Sequence, residues 1–330
     1  MKKIRFGVVG TNFITDWVMA GGREDERFEP VAVCSRTEET AESFAAKHCI
    51  PHTFTSVEAM AASPLIDAVY IASPNAMHAK QSIVCMQHGK HVLCEKAFAS
   101  NAAEVRTMIE TARKHDVTLM EAMKPTLTPG FRAVRDAVRT IGVVRQYFAC
   151  YCQYSSRYDK LKEGIVLNAF NPELSNGAVM DIGIYTIYPM VVLFGRPKTI
   201  QASGIKLHSG VDGHGNVVFK YDNGLCATVM YSKIADSRLP TEIQGEGGII
   251  ALDRINVIGR ATLKRRNGAE ENILPETTHN EYYYEIAEFI DLVQSGRRES
   301  CINSLENSLI TIEIIDEIRR QSGVRFPADD

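Results

Sequence analysis

Along the first third of the chain, short apolar runs alternate with stretches in which apolar residues recur every three to four positions. That alternation is the pattern of a doubly wound parallel sheet with helices on its faces. It predicts strands at 4–9, 30–34, 68–72, 91–94 and 117–120, with a weaker one near 52–54 completing the sheet. A helix is predicted from Asn101, where Asn101 and Glu104 have capping-box spacing and Val105, Met108, Ile109 and Ala112 share one face. Arg113, Lys114 and His115 close it, as suits the negative end of a helix. The preceding helix, 78–88, stops at Gly89.

Beyond residue 120 the pattern changes. A helix from Phe131 to Arg139 leads to Gly142 and a run of strand composition, 143–154; a polar loop and a helix over 178–194 follow. From Thr199 to Leu274 the chain reads as a meander of strands. Asn223-Gly224 and Asn267-Gly268 are the pair favoured in two-residue hairpin turns, and Gly247-Gly248 is a third turn signal. Two closing helices, 281–294 and 304–321, carry core-facing stripes at Ile286, Ile290 and Val293 and at Leu305, Leu309, Ile312 and Ile315.

Composition narrows the class. At 330 residues two domains are expected, and the pattern divides them at 1–121 and 122–330, with the closing helix able to pack back on the first. With 45% hydrophobic and 23% charged residues and a formal net charge of -3, the chain offers no basic field for nucleic acid, so a small-molecule partner is expected. The eight cysteines form no C-x-x-C pair and read as reduced, core-filling thiols, Cys150 and Cys152 sharing a face if their run is a strand. No run is expected to reach the ~18 apolar residues of a membrane span. The basic start Met1-Lys2-Lys3 leads into a glycine turn rather than a cleavage site. A cytoplasmic protein with no membrane partner is the expectation.

Candidate chemistry sits at the strand ends. The first strand runs into Gly10-Thr11-Asn12-Phe13-Ile14-Thr15, where only Gly10 matches the dinucleotide fingerprint and Asn12 and Thr15 take the other glycine positions. Asn12 tolerates a positive φ and its side chain can meet a diphosphate, which the amides at the helix start would cradle. Thr11, Phe13 and Ile14 therefore count as cofactor contacts; the alternative is an ordinary strand-to-helix turn. Ser35-Arg36 ends the second strand. A hydroxyl followed by arginine suits the 2′-phosphate of NADP, whereas an NAD site usually places a carboxylate there. Glu38 and Glu39 leave NAD possible, and a surface arginine is the bland alternative.

After the strand at Ala68 comes Ser73-Pro74-Asn75-Ala76-Met77-His78, in which Asn75 either caps the next helix or faces the ligand crevice. Alone, the cap reading is preferred. Gly89 to Lys96 then places Glu95 and Lys96 at the carboxyl end of a strand, which in an open parallel sheet faces the ligand. A proton-transfer lysine must be tuned down toward neutrality, whereas a solvated one titrates near ~10.4. Glu95 is expected to make structural hydrogen bonds. Asp181 and Tyr185, four apart on the helix over 178–194, would stack on one face and address a common ligand, or form a structural pair.

Together these residues resemble the Gfo/Idh/MocA family, named for glucose-fructose oxidoreductase, inositol dehydrogenase and a rhizopine catabolism protein. Its G-K-H-V-x-x-E-K-P run is matched by Gly89 to Lys96, its N-x-x-H by Asn75 and His78, and its D-x-G-x-H/Y by Asp181, Gly183 and Tyr185. The resemblance implies an N-terminal Rossmann dinucleotide-binding domain and a C-terminal α+β domain with a large, mostly antiparallel open sheet. It implies Lys96 as the catalytic lysine, Asp181 orienting substrate and Lys96, and Tyr185 as proton donor or acceptor, as in members similar to dihydrodiol dehydrogenase. The cofactor contacts would then include Ser73, Pro74, Asn75, His78, Glu95 and Lys96. Ala97 replaces the family proline, and without proline a trans peptide is expected before it. Lys124-Pro125-Thr126 departs from the family's hinge pattern, which makes Lys124 a candidate substrate contact.

The expected function is an NADP-preferring oxidoreductase interconverting hydroxyl and carbonyl on a sugar, polyol or cyclic diol, without a metal. Similar proteins bury the open sheet against another subunit, so a homodimer or homotetramer is expected. Two alternatives stand beside it: a cofactor-binding sensor, and a non-redox enzyme that retains its nicotinamide.

Overall fold

The computed structural model describes residues 2–330. The chain forms two compact units, one running up to Lys124 and including Thr278–Leu309, the other comprising Pro125–Thr277 and Ile310–Asp330. This departs from a single second unit over 122–330. The helix Tyr283–Ser295 belongs to the first unit because its apolar stripe is buried there: Ile286, Phe289 and Ile290 are inaccessible, and the Phe289 ring lies 5.8 Å from Phe6.

The first unit is built on six strands: β1 (Ile4–Val9), β2 (Phe28–Cys34), β3 (His52–Phe54), β4 (Ala68–Ile71), β5 (His91–Glu95) and β6 (Leu119–Ala122). Their order is β3-β2-β1-β4-β5-β6 and every neighbouring pair is parallel. This is the Rossmann order, whose ligand crevice opens beyond the carboxyl ends of the strands where β1 and β4 diverge. β4 and the middle of β5 are buried throughout, which explains their unbroken apolar runs.

Several boundaries differ from expectation, β2 for example starting at Phe28, and two of the shifts have a local cause. β6 starts at Leu119 because the helix Ala102–His115 ends through Asp116 in the left-handed conformation at φ 52°, with the Val117 amide donating to Ala112. The helix expected at 78–88 spans Asn75–Gln87, because Pro74 itself takes the N-cap position and Asn75 is already helical. Asn75 is therefore not the cap.

The second unit carries an eight-stranded sheet of β7 (Val144–Cys152), β8 (Thr199–Lys206), β9 (Asp212–Lys220), β10 (Cys226–Ser232), β11 (Thr241–Gly245), β12 (Gly248–Leu252), β13 (Ala261–Arg265) and β14 (Glu270–Asn272). Its order is β14-β13-β12-β11-β7-β10-β9-β8, antiparallel except for the central β7–β10 pair. Alternate residues of the central strands, including Tyr147, Ala149, Phe219, Ala227 and Val229, are buried on one face. There the Tyr147 hydroxyl donates to the Thr186 carbonyl of the helix Ile184–Phe194 at 2.9 Å.

Only one of the three turn signals closes in two residues. Gly245 pairs with Gly248, so Glu246-Gly247 makes the β11–β12 turn. Between β9 and β10 the last pair is Lys220 with Cys226, and the Leu225 amide donates to Asn223 Oδ1 at 3.1 Å, a local side-chain turn that keeps the loop longer. Pro172–Phe194 corrects the membrane expectation as well: it is long and apolar enough by composition to span one, yet 72% of its apolar window is buried, as in a core helix.

Candidate functional site

In the first unit, β1 runs into Gly10 at φ +100°, where a Cβ would lie 2.5 Å from the Ala72 carbonyl oxygen. Only glycine permits that approach of the β1 and β4 ends. Asn12 does not use a positive φ, as expected from the sequence, but sits extended at φ -91° and caps the helix Phe13–Gly22. Its Oδ1 accepts from the Ile14 and Thr15 amides at 2.9 and 3.3 Å, and its Nδ2 donates to Ala72 at 2.8 Å. The side chain and the Ile14 amide are thus committed to the turn, and the anion cradle rests on the backbone over 11–13. Phe13 is 49% exposed and meets Trp17 edge-on at 5.1 Å.

A string of hydroxyls marks the end of β2. Thr11 Oγ1 lies 3.3 Å from Ser35 Oγ, Ser35 Oγ is 2.7 Å from Thr40 Oγ1, and Thr40 Oγ1 is 2.8 Å from Thr37 Oγ1. Arg36 beside them is exposed and has no ion-pair partner among the described residues. Glu38 and Glu39 fall in the first turn of the helix Glu38–His48, behind the Thr37 cap, where helix polarity favours them. The glycine cradle and this hydroxyl and guanidinium set fit an adenosine 2′-phosphate dinucleotide.

His78, expected at the cofactor, is buried and braces the site from behind. Its Nδ1 and Nε2 lie 2.8 Å from the Ala97 and Ser73 carbonyl oxygens, tying the turn after β5 to the turn after β4. Burial pushes its pKa below the ordinary value, against the two carbonyls that favour the charged form. Ser73 Oγ donates to Gln81 Oε1 at 2.6 Å.

The peptide between Lys96 and Ala97 is cis, contrary to the expected trans geometry. The surroundings substitute for proline: the Ala97 carbonyl is held by His78, and Ala97, Phe98 and Ala99 are wholly buried. Lys96 itself is half-buried at the end of β5. Glu95 accepts from the Tyr70 hydroxyl at 2.7 Å and from the Lys96 amide at 3.3 Å. Burial pushes its pKa up, while Tyr70, Lys96 and Lys124 pull the other way.

Lys124 is buried, ion-paired with Glu281 and placed 4.3 Å from the centre of the Tyr282 ring. Its charge also lies near Glu285, an inaccessible acid on the helix Tyr283–Ser295 that burial pushes well above the usual carboxylate range. Tyr70 and Glu285 escaped the sequence reading. The signal for Glu285 was present, since an acid three residues after Tyr282 and four before Phe289 falls inside the apolar stripe.

In the second unit, Val179–Gly183 form a π turn ahead of the helix Ile184–Phe194, so Asp181 and Tyr185 do not share the simple helical face expected of residues four apart. Asp181 Oδ2 is ion-paired with Lys233, a residue no motif singled out. Tyr185 meets Tyr151 edge-on at 5.8 Å.

Comparison with known proteins adds to this geometry. Residues 4–123 match the description "Oxidoreductase family, NAD-binding Rossmann fold" and residues 131–251 match "GFO/IDH/MocA C-terminal domain". The chain is 50% identical over 326 residues to scyllo-inositol 2-dehydrogenase (NADP(+)) IolU of Bacillus subtilis, covering 99% of both chains. It is 31% identical to the trans-1,2-dihydrobenzene-1,2-diol dehydrogenase of Xenopus tropicalis, covering 90% of this chain and 91% of the relative. Among solved structures, the aldose-aldose oxidoreductase of Caulobacter crescentus complexed with glycerol superposes with a TM-score of 0.85 at 21% identity, covering 98% of both chains. The 3-ketoreductase KijD10 of Actinomadura kijaniata, with NADP and TDP-benzene, gives a TM-score of 0.84 at 22% identity over 97% of this chain and 98% of its own. These two likenesses show the shared fold.

Proposed function

The chain belongs to the Gfo/Idh/MocA oxidoreductase family, and from that premise we propose that it is an NADP-preferring dehydrogenase of a cyclic polyol of the inositol type. The substrate class is supported by the full-length relative named for scyllo-inositol. One observation carries the cofactor preference: Ser35, Thr37 and Thr40 link their hydroxyls beside the exposed Arg36, where an NAD site would hold a carboxylate.

When bound, the nicotinamide supplies the hydride acceptor or donor. The protein supplies binding, orientation and proton handling. Either Lys96, at the end of β5, or Tyr185, beyond the π turn, takes up or returns the hydroxyl proton, and Asp181 accepts a hydrogen bond from a substrate hydroxyl. Glu95 and His78 hold the turn that carries Lys96, so much of the catalysis is orientation. Lys124 is held by Glu281 and Tyr282, which favours a supporting role in the first unit over direct contact with substrate. The reading includes a cytoplasmic enzyme that pairs through the open face of its eight-stranded sheet, where Ile249 is 43% exposed.

The test is oxidation of scyllo-inositol with each cofactor. The expected result is a kcat/KM with NADP at least about tenfold above that with NAD. Equal or reversed values overturn the cofactor assignment. Oxidation of acyclic sugars or aromatic diols but not of cyclic polyols overturns the substrate class.

A further inference from the structure

Two residues outside every family motif converge on Asp181 within the second unit. The first is Asp212, at the start of β9. Its Oδ2 accepts from the Val179 amide at 2.8 Å, and a Cβ on Gly177 would lie 2.4 Å from its Oδ1. Asp212 therefore fixes the backbone of the π turn Val179–Gly183 but leaves the direction of the Asp181 side chain open.

That direction is set by the second residue, Lys233, just beyond β10. Its ammonium is ion-paired with Asp181 Oδ2, and its side chain is only 4% exposed against 33% for that of Asp181. The Lys233 amide donates to Gly213 at 2.8 Å and its carbonyl accepts from the Ser155 amide at 2.9 Å, so the residue is anchored in the backbone on both sides. The ammonium also lies 5.6 Å from the centre of the Phe170 ring. A lysine is costly to bury without a counter-charge, and a carboxylate paired with a buried cation stays ionised and keeps one orientation. The partly exposed end of the pair is the acid assigned to the substrate, and the anchored, inaccessible end is the lysine.

We propose that Lys233 is a positioning residue for the reaction: it holds Asp181 ionised and aimed, so that the carboxylate accepts a hydrogen bond from a hydroxyl of the polyol. The inference rests on the assignment of Asp181 to the substrate site. Beside the π turn, Tyr185 of the following helix meets Tyr151 of β7, and Asp212 of β9 and Tyr231 of β10 pack against Gly177 and Gly183. Lys233 is ion-paired with Asp181 and brings positive charge to it from the strand side.

The experiment is a double-mutant cycle with Lys233→Met and Asp181→Asn, reading kcat, KM and NADPH affinity by fluorescence. Lys233→Met is expected to lower kcat by about tenfold or more at unchanged NADPH affinity and to move the acid limb of the kcat profile to higher pH. Added to Asp181→Asn, it is expected to cost less than about twofold further, because the two residues act as one unit. A Lys233→Met enzyme with wild-type kcat and profile overturns the proposal, as does an equal loss in both backgrounds. If Lys233→Met does not fold, the comparison of Asp181→Asn with the double variant decides alone: matching kcat supports coupling, and a further tenfold loss overturns it. Wild-type turnover in Asp181→Asn defeats the site assignment itself, a separate outcome.

Discussion

The Tyr70 hydroxyl donates a 2.7 Å hydrogen bond to Glu95 Oε1, one residue before Lys96. Tyr70 rises from the buried middle of the sheet on β4, and burial beside Glu95 and Glu285 pushes its own pKa up, so it keeps its proton and serves as the hydrogen-bond donor. The other Glu95 oxygen receives the Lys96 amide. The acid beside the lysine thus stabilises its backbone, and the sheet core extends into the site through a tyrosine rather than through a motif residue.

The buried acids make stability depend on pH. Burial pushes Glu121 up to about 8. Because its folded pKa lies above the unfolded value, the folded state binds the proton more tightly. The stabilisation is complete below the unfolded pKa of ~4.3 and is lost as pH rises through the folded value. Urea unfolding of Glu121→Gln is expected to show a fall in stability from acidic to mildly alkaline pH that is smaller than the wild type's by on the order of 2–4 kcal/mol. Equal slopes in both proteins contradict the assignment.

Arg36 should matter for one cofactor only. A charge-assisted bond to phosphate contributes about 1.5–3 kcal/mol, so Arg36→Ala is expected to weaken NADPH binding roughly tenfold to a hundredfold. NADH binding should change less than about twofold. Fluorescence titration reads both, and parallel losses contradict a 2′-phosphate role.

Asp212 holds the turn that carries Asp181. Burial pushes its pKa up to about 6, with the Val179 amide opposing. Asp212→Ala strips the partner from a buried amide and is expected to cost about 1–3 kcal/mol in chemical unfolding. It should also lower kcat while leaving NADPH affinity intact. A variant with wild-type stability and kcat contradicts the capping role.

The strands of the first unit other than β3 were legible because they carry short apolar runs between helical segments, and β1 and the weaker β3 fall where the pattern put them. Two of the boundaries that moved did so for local reasons: Pro74 capping its helix, and Asp116 turning left-handed. The π turn was not legible. It depends on Gly183 packing so close to Tyr231 that a Cβ would meet the ring at 3.0 Å, a contact across widely separated positions. Lys233 was invisible for a similar reason, since it lies 52 residues from Asp181 and follows an unremarkable strand. His78 was found by its spacing, but the packing of its ring between the Ala97 and Ser73 carbonyls was not legible, because spacing does not tell which loops close on a side chain.

Lys96 is the centre of the proposed chemistry, and turnover of Lys96→Met set against its NADPH affinity tests it most directly. The expected result is a kcat reduced by about 10²-fold or more with NADPH affinity within about twofold of wild type, as removal of a proton-transfer group requires. A variant that binds NADPH and oxidises polyol at the wild-type rate would contradict it.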